Sequence, residues 1–208
     1  LAAEGRGLKQ LGNSSPGHAH QPAGVRPPLS LYIHVPWCVR KCPYCDFNSH
    51  AFTGTIPESA YLQALLEDLD QDLAFATDRP IETVFIGGGT PSLMSGDFYD
   101  RLFRELRARL AFATNAEITL EANPGTLEAG RFDAFRAAGI NRLSIGVQSF
   151  NPDHLKTLGR IHDADAAHRA IRAARRAGFD NLKICPLYTS DAPDDRTEVR
   201  TRRSAGRS

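Results

Sequence analysis

The sequence has almost no net charge. Lys and Arg number 25, Asp and Glu 24, and the formal sum is +1 over 208 residues. No broad field then points to nucleic acid or to an anionic membrane. No apolar run reaches the ~18 residues of a membrane span. No basic start leads into an apolar stretch, so no secretory signal is expected and the chain reads as cytoplasmic. Cysteine is scarce, with four in all. In a reducing compartment disulfides are not expected, so clustered thiols mean metal, catalysis or nothing. What is there is an ordinary globular composition, 41% hydrophobic and 24% charged, long enough for one domain with a sizeable core.

Residues 1–28 mix Gly, Pro, Ser and His without an apolar period and read as a flexible leader. Alternation and strand formers predict strands at 29–35, 81–87, 116–122 and 142–148, with a weaker one at 179–184. Helical spacing fills the gaps. Pro57 suits a first turn ahead of Tyr61, Leu62, Leu65, Leu66, Leu69 and Leu73. Ser95 is placed to cap a helix carrying Phe98, Leu102, Leu106 and Leu110, and Thr126 one carrying Leu127, Phe132, Phe135 and Ala138, stopped near Gly139. Asp163 is placed to open a last helix with Ala167, Ala170, Ile171 and Ala174 inward, closed by Gly178. Strand and helix thus alternate, which means right-handed crossovers and a parallel sheet, open or curling toward a barrel. From 185 to 208 every period is lost. "LYTSDAPDD" resembles a translated sequencing adapter, so this stretch reads as a disordered or artefactual tail on an interrupted core of 29–184.

In α/β folds of either kind, ligands gather at the C-terminal ends of the strands. Four motifs fall there. "CVRKCPYC" (38–45) follows the first strand, "GGGTP" (87–91) ends the second, "EANPG" (121–125) the third, and "VQSFN" (147–151) the fourth. Cys38, Cys42 and Cys45 are spaced C-x3-C-x2-C. Zinc sites usually take four protein ligands, and here a second pair is missing, although His34 and His50 flank the loop and leave zinc open. An iron–sulfur cube suits three thiolates from one loop, with its fourth iron free for a ligand. Gly88 and Gly89 let backbone come close to a ligand, or simply make a tight turn. Glu121 is placed to hold an ammonium or hydroxyl groups, or is a surface carboxylate. His18, His20, His154, His162 and His168 have no metal spacing and read as solvated.

"LYIHVPWCVRKCPYCDFNSH", "FIGGGTPSLM", "EANPGT", "RLSIGVQSFN" and "LGRIH" together resemble the radical S-adenosylmethionine (SAM) superfamily. Within it they resemble the oxygen-independent coproporphyrinogen III oxidase-like branch, on its heme-chaperone side. The match spans about residues 29–182. It implies a partial (β/α) barrel, truncated here after about strand five. It implies a 4Fe-4S cluster on Cys38, Cys42 and Cys45, and SAM chelating the open iron, where reduction releases a 5′-deoxyadenosyl radical. It implies SAM contacts from Tyr32, Tyr44, Gly88, Gly89, Thr90, Glu121, Gln148 and Arg160, the last through carboxylate pairing. Tyr32 is equally plausible as a core aromatic.

Two departures matter. The oxidase has a further cysteine two places after the third, where this chain has Phe47, which favours the chaperone. An acidic SAM contact at the end of strand five is replaced by Cys185. The family's C-terminal domain, which carries heme determinants, has no counterpart here, so heme is expected to bind the intact parent. The implied partners are a heme acceptor protein and an electron donor. The alternatives are a porphyrinogen-decarboxylating oxidase and a non-catalytic zinc module.

Overall fold

A computed structural model describes residues 27–76, 78–125 and 130–187. The expected leader, Thr126 as a cap, and the tail beyond Leu187 lie outside them. In chain order the elements are β1 (Leu29–Val35), β2 (Trp37–Cys38), β3 (His50–Ala51), α1 (Glu58–Asp72), β4 (Ile81–Gly88), α2 (Gly96–Arg109) and β5 (Phe112–Ala122). Then come α3 (Phe132–Ala137), β6 (Arg142–Gln148), α4 (Pro152–Thr157), α5 (Ala164–Arg176) and β7 (Asn181–Pro186).

The five long strands lie in the order β1-β4-β5-β6-β7, and every neighbouring pair is parallel. A doubly wound sheet reverses its strand order at a switch point and carries helices on both faces. Here the order never reverses. Right-handed crossovers then put every helix on the same side, and the other face becomes the inside of a partial barrel. This is the partial (β/α) barrel expected from the sequence.

Alternation along each strand sorts the two faces. Ile33 and Val35, Val84 and Ile86, Ile118 and Leu120, and Leu143, Ile145 and Val147 are all buried. They form one core with Phe98, Leu102 and Leu106 of α2, Phe132 and Phe135 of α3, and Ala167 and Ala174 of α5. Each large side chain so buried contributes roughly 1.5–3 kcal/mol. The intervening residues face the lumen: Tyr32, His34, Phe85, Glu121, Ser144, Gly146, Gln148, Lys183 and Cys185. Sheet geometry thus separates an oily face from one of polar and small residues.

Ser95 caps α2 by accepting from Phe98 N at 3.0 Å, and Asp163 caps α5 by accepting from Ala166 N at 2.6 Å. Several elements differ from expectation: β2 and β3 are additional, and β5 begins at Phe112 rather than 116. Helix α4 is six residues long, too short for a period, and is marked only by Asn151 as cap and Pro152 at its first position. Strand β7 begins at Asn181 because Gly178, at φ +83°, turns the chain so that Phe179 N closes α5 on Ala174 O at 3.1 Å. The strand then runs through Pro186, which pairs with Gln148, so Cys185 sits in the sheet beyond the boundary expected at 184.

Candidate functional site

The cysteine loop is closed at its base. Strands β2 and β3 pair in parallel, Trp37 with His50 and Cys38 with Ala51. His50 N donates to Pro36 O at 2.8 Å and Phe52 N to Cys38 O at 2.9 Å. Within the loop, Cys45 N donates to Cys42 O at 3.0 Å, making a turn with Pro43 second. Cys38 is buried, Cys42 and Cys45 are half-buried, and all are free thiols.

The end of β4 packs tightly beneath this loop. Gly88 has φ +110°, and an added Cβ would lie 2.7 Å from the His34 ring. A Cβ on Gly89 would lie 2.6 Å from Trp37 O. Gly89 N donates to Val35 O at 2.6 Å, and Thr90 N to Trp37 O at 2.7 Å. These glycines are therefore required by the chain leading into the cysteines, whatever ligand they also meet.

Arg160 ties the loop to the sheet. Its Nη2 donates to Asn123 Oδ1 and to Gly146 O, both at 2.7 Å. Its Nη1 reaches Tyr44 Oη at 3.4 Å and Cys42 Sγ at 3.5 Å. Its Nε is buried and has no hydrogen-bond partner among the described residues. Gly159, at φ +65°, lies against Pro43, which holds the Arg160 segment on the cysteine turn. Burial raises the Tyr44 phenol, opposed by the Arg160 charge and reinforced by Cys42.

Glu121 ends β5 facing inward. Burial raises its carboxyl above the usual range, against a hydrogen bond from the Gly88 amide and the charge of Lys183. Gln148 ends β6 at φ +64°, a left-handed conformation that costs a non-glycine residue about 1–3 kcal/mol and concentrates at functional sites.

Ten of the eleven expected site residues line one cavity of about 170 Å³: Cys38, Cys42, Tyr44, Cys45, Gly88, Gly89, Thr90, Glu121, Gln148 and Arg160. Tyr32 does not. It is 57% exposed, so it is not a core aromatic either, and it stacks on Phe85 with ring centroids 6.2 Å apart. Burial and the Glu121 charge nonetheless raise its phenol.

The lining also holds residues outside the expected set, among them Asn123, Ser144, Gly146 and Ile161. Asn123 is the most informative, since it accepts from Arg160 and donates through Nδ2 to Thr90 Oγ1 at 3.1 Å. Its signal was its place in "EANPG". Cys185, set aside with the tail, also lines the cavity and lies 3.2 Å from Ser144 Oγ.

His162 corrects an expectation. It is only 9% exposed, and Nε2 donates to Val147 O at 2.9 Å. Burial lowers its pKa, opposed by the Val147 bond, and Arg160 lowers it further.

The donor set fits a cluster better than one ion. Among the described residues no three His, Cys, Asp or Glu side chains are placed to hold a metal ion. Both His34 ring nitrogens are engaged, Nδ1 with Tyr32 Oη at 2.9 Å and Nε2 with Asn48 O at 2.7 Å. Three thiols that line one cavity suit the separate corners of a cube.

Comparison with known proteins agrees with this geometry. A sequence model of the radical SAM superfamily matches residues 32–199. The heme chaperone HemW of Escherichia coli K12 is 58% identical over 158 residues, which is 76% of this chain and 42% of the relative. HemW of Haemophilus influenzae is 52% identical over 162 residues, with the same coverage of 76% and 42%. The chain thus spans less than half the length of these curated relatives. Among solved structures, the coproporphyrinogen III oxidase HemN of Escherichia coli, described as a radical SAM enzyme, superposes with a TM-score of 0.69 at 33% identity, covering 76% of this chain and 36% of that one. No helix among the described residues is long and apolar enough to cross a membrane. With its family model matched over most of its length and its motifs gathered at the strand ends, this chain belongs to the radical SAM superfamily.

Proposed function

We propose that this chain holds a 4Fe-4S cluster on Cys38, Cys42 and Cys45 with S-adenosylmethionine beside it, as the core of a protein that delivers heme to an acceptor. The observation that carries this is the single cavity that collects the three thiols, the glycine-rich end of β4, Glu121, Gln148 and Arg160. When bound, the cluster supplies the electron that breaks a carbon–sulfur bond of S-adenosylmethionine.

The chain's own residues position and exclude. The β2–β3 pair fixes where Cys38 stands. Glu121 offers a half-buried carboxylate to an ammonium or to ribose hydroxyls. Thr90 and Asn123 brace one another through their 3.1 Å bond, and Asn123 in turn braces Arg160. Val39, Phe47 and Ile161 line the mouth and are 56%, 59% and 65% exposed, so an apolar rim surrounds the polar floor. Heme binding belongs to the longer protein, in which an electron donor and a heme acceptor complete the system.

Anaerobic reconstitution tests the core of this reading. Iron and sulfide should each reach about four per chain, with brown charge-transfer absorption. Alanine at Cys38, Cys42 or Cys45 should abolish uptake, and saturating S-adenosylmethionine should perturb the paramagnetic resonance of the reduced cluster. Stoichiometric zinc without iron would sink it. A second reading, a coproporphyrinogen oxidase, is favoured by the HemN superposition. Phe47, where that enzyme is expected to have another cysteine, speaks against it. Turnover of coproporphyrinogen by the full-length parent would decide for the oxidase, and tight heme binding without turnover for the chaperone.

A further inference from the structure

We propose that Arg160 sets the reduction potential of the cluster, acting on it through Cys42. The proposal rests on the cluster reading above. The two nitrogens at the end of the guanidinium do different work. Nη2 makes two short bonds, both 2.7 Å, to Asn123 Oδ1 and Gly146 O. These anchor the group to the ends of β5 and β6. Nη1 makes two longer contacts, at 3.4 Å to Tyr44 Oη and at 3.5 Å to Cys42 Sγ. The anchored nitrogen therefore presents the other to the middle cysteine of the loop.

Gly159 makes this possible, because its positive φ and its contact with Pro43 bring the Arg160 backbone against the cysteine turn. Among the described residues no acidic side chain pairs with the guanidinium. Its acceptors are an amide oxygen, a carbonyl, a phenol and a sulfur, and it forms none of the ion pairs found among the described residues. A full positive charge thus stands one hydrogen bond from a cluster thiolate.

The physical consequence has a definite sign. Reduction adds one negative charge to the cluster and spreads it onto the sulfurs. Hydrogen bonds to those sulfurs and local net charge are among the terms that tune the potentials of iron–sulfur centres. A donor that is also a cation stabilises the reduced form more than the oxidised form, so the potential rises. Arg160 accordingly makes the cluster easier to reduce than the three cysteines alone would. Any ligand that draws Nη1 away from Cys42 lowers the potential again, which couples occupancy of the cavity to the redox state.

The test is a redox titration of the reconstituted 208-residue chain, followed by the paramagnetic resonance of the reduced cluster. Three variants accompany the wild type: Arg160→Gln, Arg160→Lys and Arg109→Gln. Arg160→Gln removes the charge. Arg160→Lys keeps the charge but not the planar fork. Arg109→Gln removes an equal charge on α2, where Arg109 pairs with Asp70 and Glu105. The expected result is a fall in the reduced-to-oxidised ratio of about tenfold at fixed potential in Arg160→Gln, about 59 mV for one electron. A smaller fall is expected in Arg160→Lys and none in Arg109→Gln. A shift of the iron–sulfur(Cys) stretching bands in Arg160→Lys should accompany it. Equal midpoints in wild type and Arg160→Gln, with intact clusters, would overturn the proposal. Failure of both Arg160 variants to take up iron would make Arg160 a strut of the loop and also overturn it. Failure of the wild type to take up iron would instead bring down the functional reading beneath.

Discussion

Replacing Gly89 with alanine probes the joint between β4 and the cysteine loop. The added Cβ would lie 2.6 Å from Trp37 O, 2.9 Å from Trp37 C and 3.0 Å from Pro36 C. All three are backbone atoms, which cannot swing aside as a side-chain end can. Ordinary contact begins at 3.4 Å, so the Pro36–Trp37 segment must retreat by about 0.8 Å. That retreat stretches the bonds from Gly89 N to Val35 O and from Thr90 N to Trp37 O, now 2.6 and 2.7 Å. Overpacking costs about 1–3 kcal/mol, and each weakened hydrogen bond adds up to about 1 kcal/mol. The expected loss is about 2–4 kcal/mol, a large share of a typical domain's stability. Gly54→Ala is the comparison. Gly54 has φ +108° but nothing within 4 Å of a Cβ, so it carries only backbone strain, about 1–2 kcal/mol. Urea unfolding followed by circular dichroism reads the stability, and iron bound per chain reads the loop. Gly89→Ala should lose both, because Cys38 follows directly on the displaced Trp37. Gly54→Ala should keep its iron. Equal losses of stability in the two variants, with equal iron, would refute the reasoning.

Three further expectations concern single side chains. Cys185→Ser should leave iron uptake unchanged, because the thiol sits at the end of β7 beside Ser144 rather than in the cysteine loop; iron analysis after reconstitution checks it. Glu121 has a raised folded pKa, so its contribution favours the fold below its unfolded value of about 4.5 and is lost as pH rises through the folded value. Glu121→Gln should therefore raise the urea midpoint at neutral pH and flatten its dependence on acidity, while removing the carboxylate a ligand needs. His162 has the opposite sign. Its lowered pKa leaves stability full above about 6.5, and stability falls as pH drops toward the folded value, since the unfolded chain then binds the extra proton. Urea midpoints of wild type and His162→Gln between about pH 7.5 and 5 should converge as pH falls.

Much of the scaffold was legible because it obeys short-range rules. Strand alternation marks Ile33, Val84, Leu120 and Ile145 as one face, and Ser95 and Asp163 announce their helices by capping chemistry. The convergence of four motifs at the strand ends follows from α/β topology alone. What escaped depends on contacts between distant segments. Asn123 binds Thr90 and Arg160, 33 and 37 residues away in sequence, and an asparagine gives no local sign of this. His162 looks like any loop histidine until Val147 O is found beside it. The positive φ of Gln148 is invisible in a glutamine, because its cost is met by tertiary packing. Strand order, which decides barrel against open sheet, is likewise a long-range property.

The two-residue pairing of β2 with β3 has a consequence for the cysteine loop. Bringing the ends of the eleven-residue loop between them together costs about 2 kcal/mol of chain entropy. Here the backbone pairing of Trp37 with His50 and of Cys38 with Ala51 offsets part of that cost. Small zinc modules differ, since their chains acquire structure only with the metal. On the cluster reading, this main-chain pairing confines the three thiols to one short arc beside the cavity.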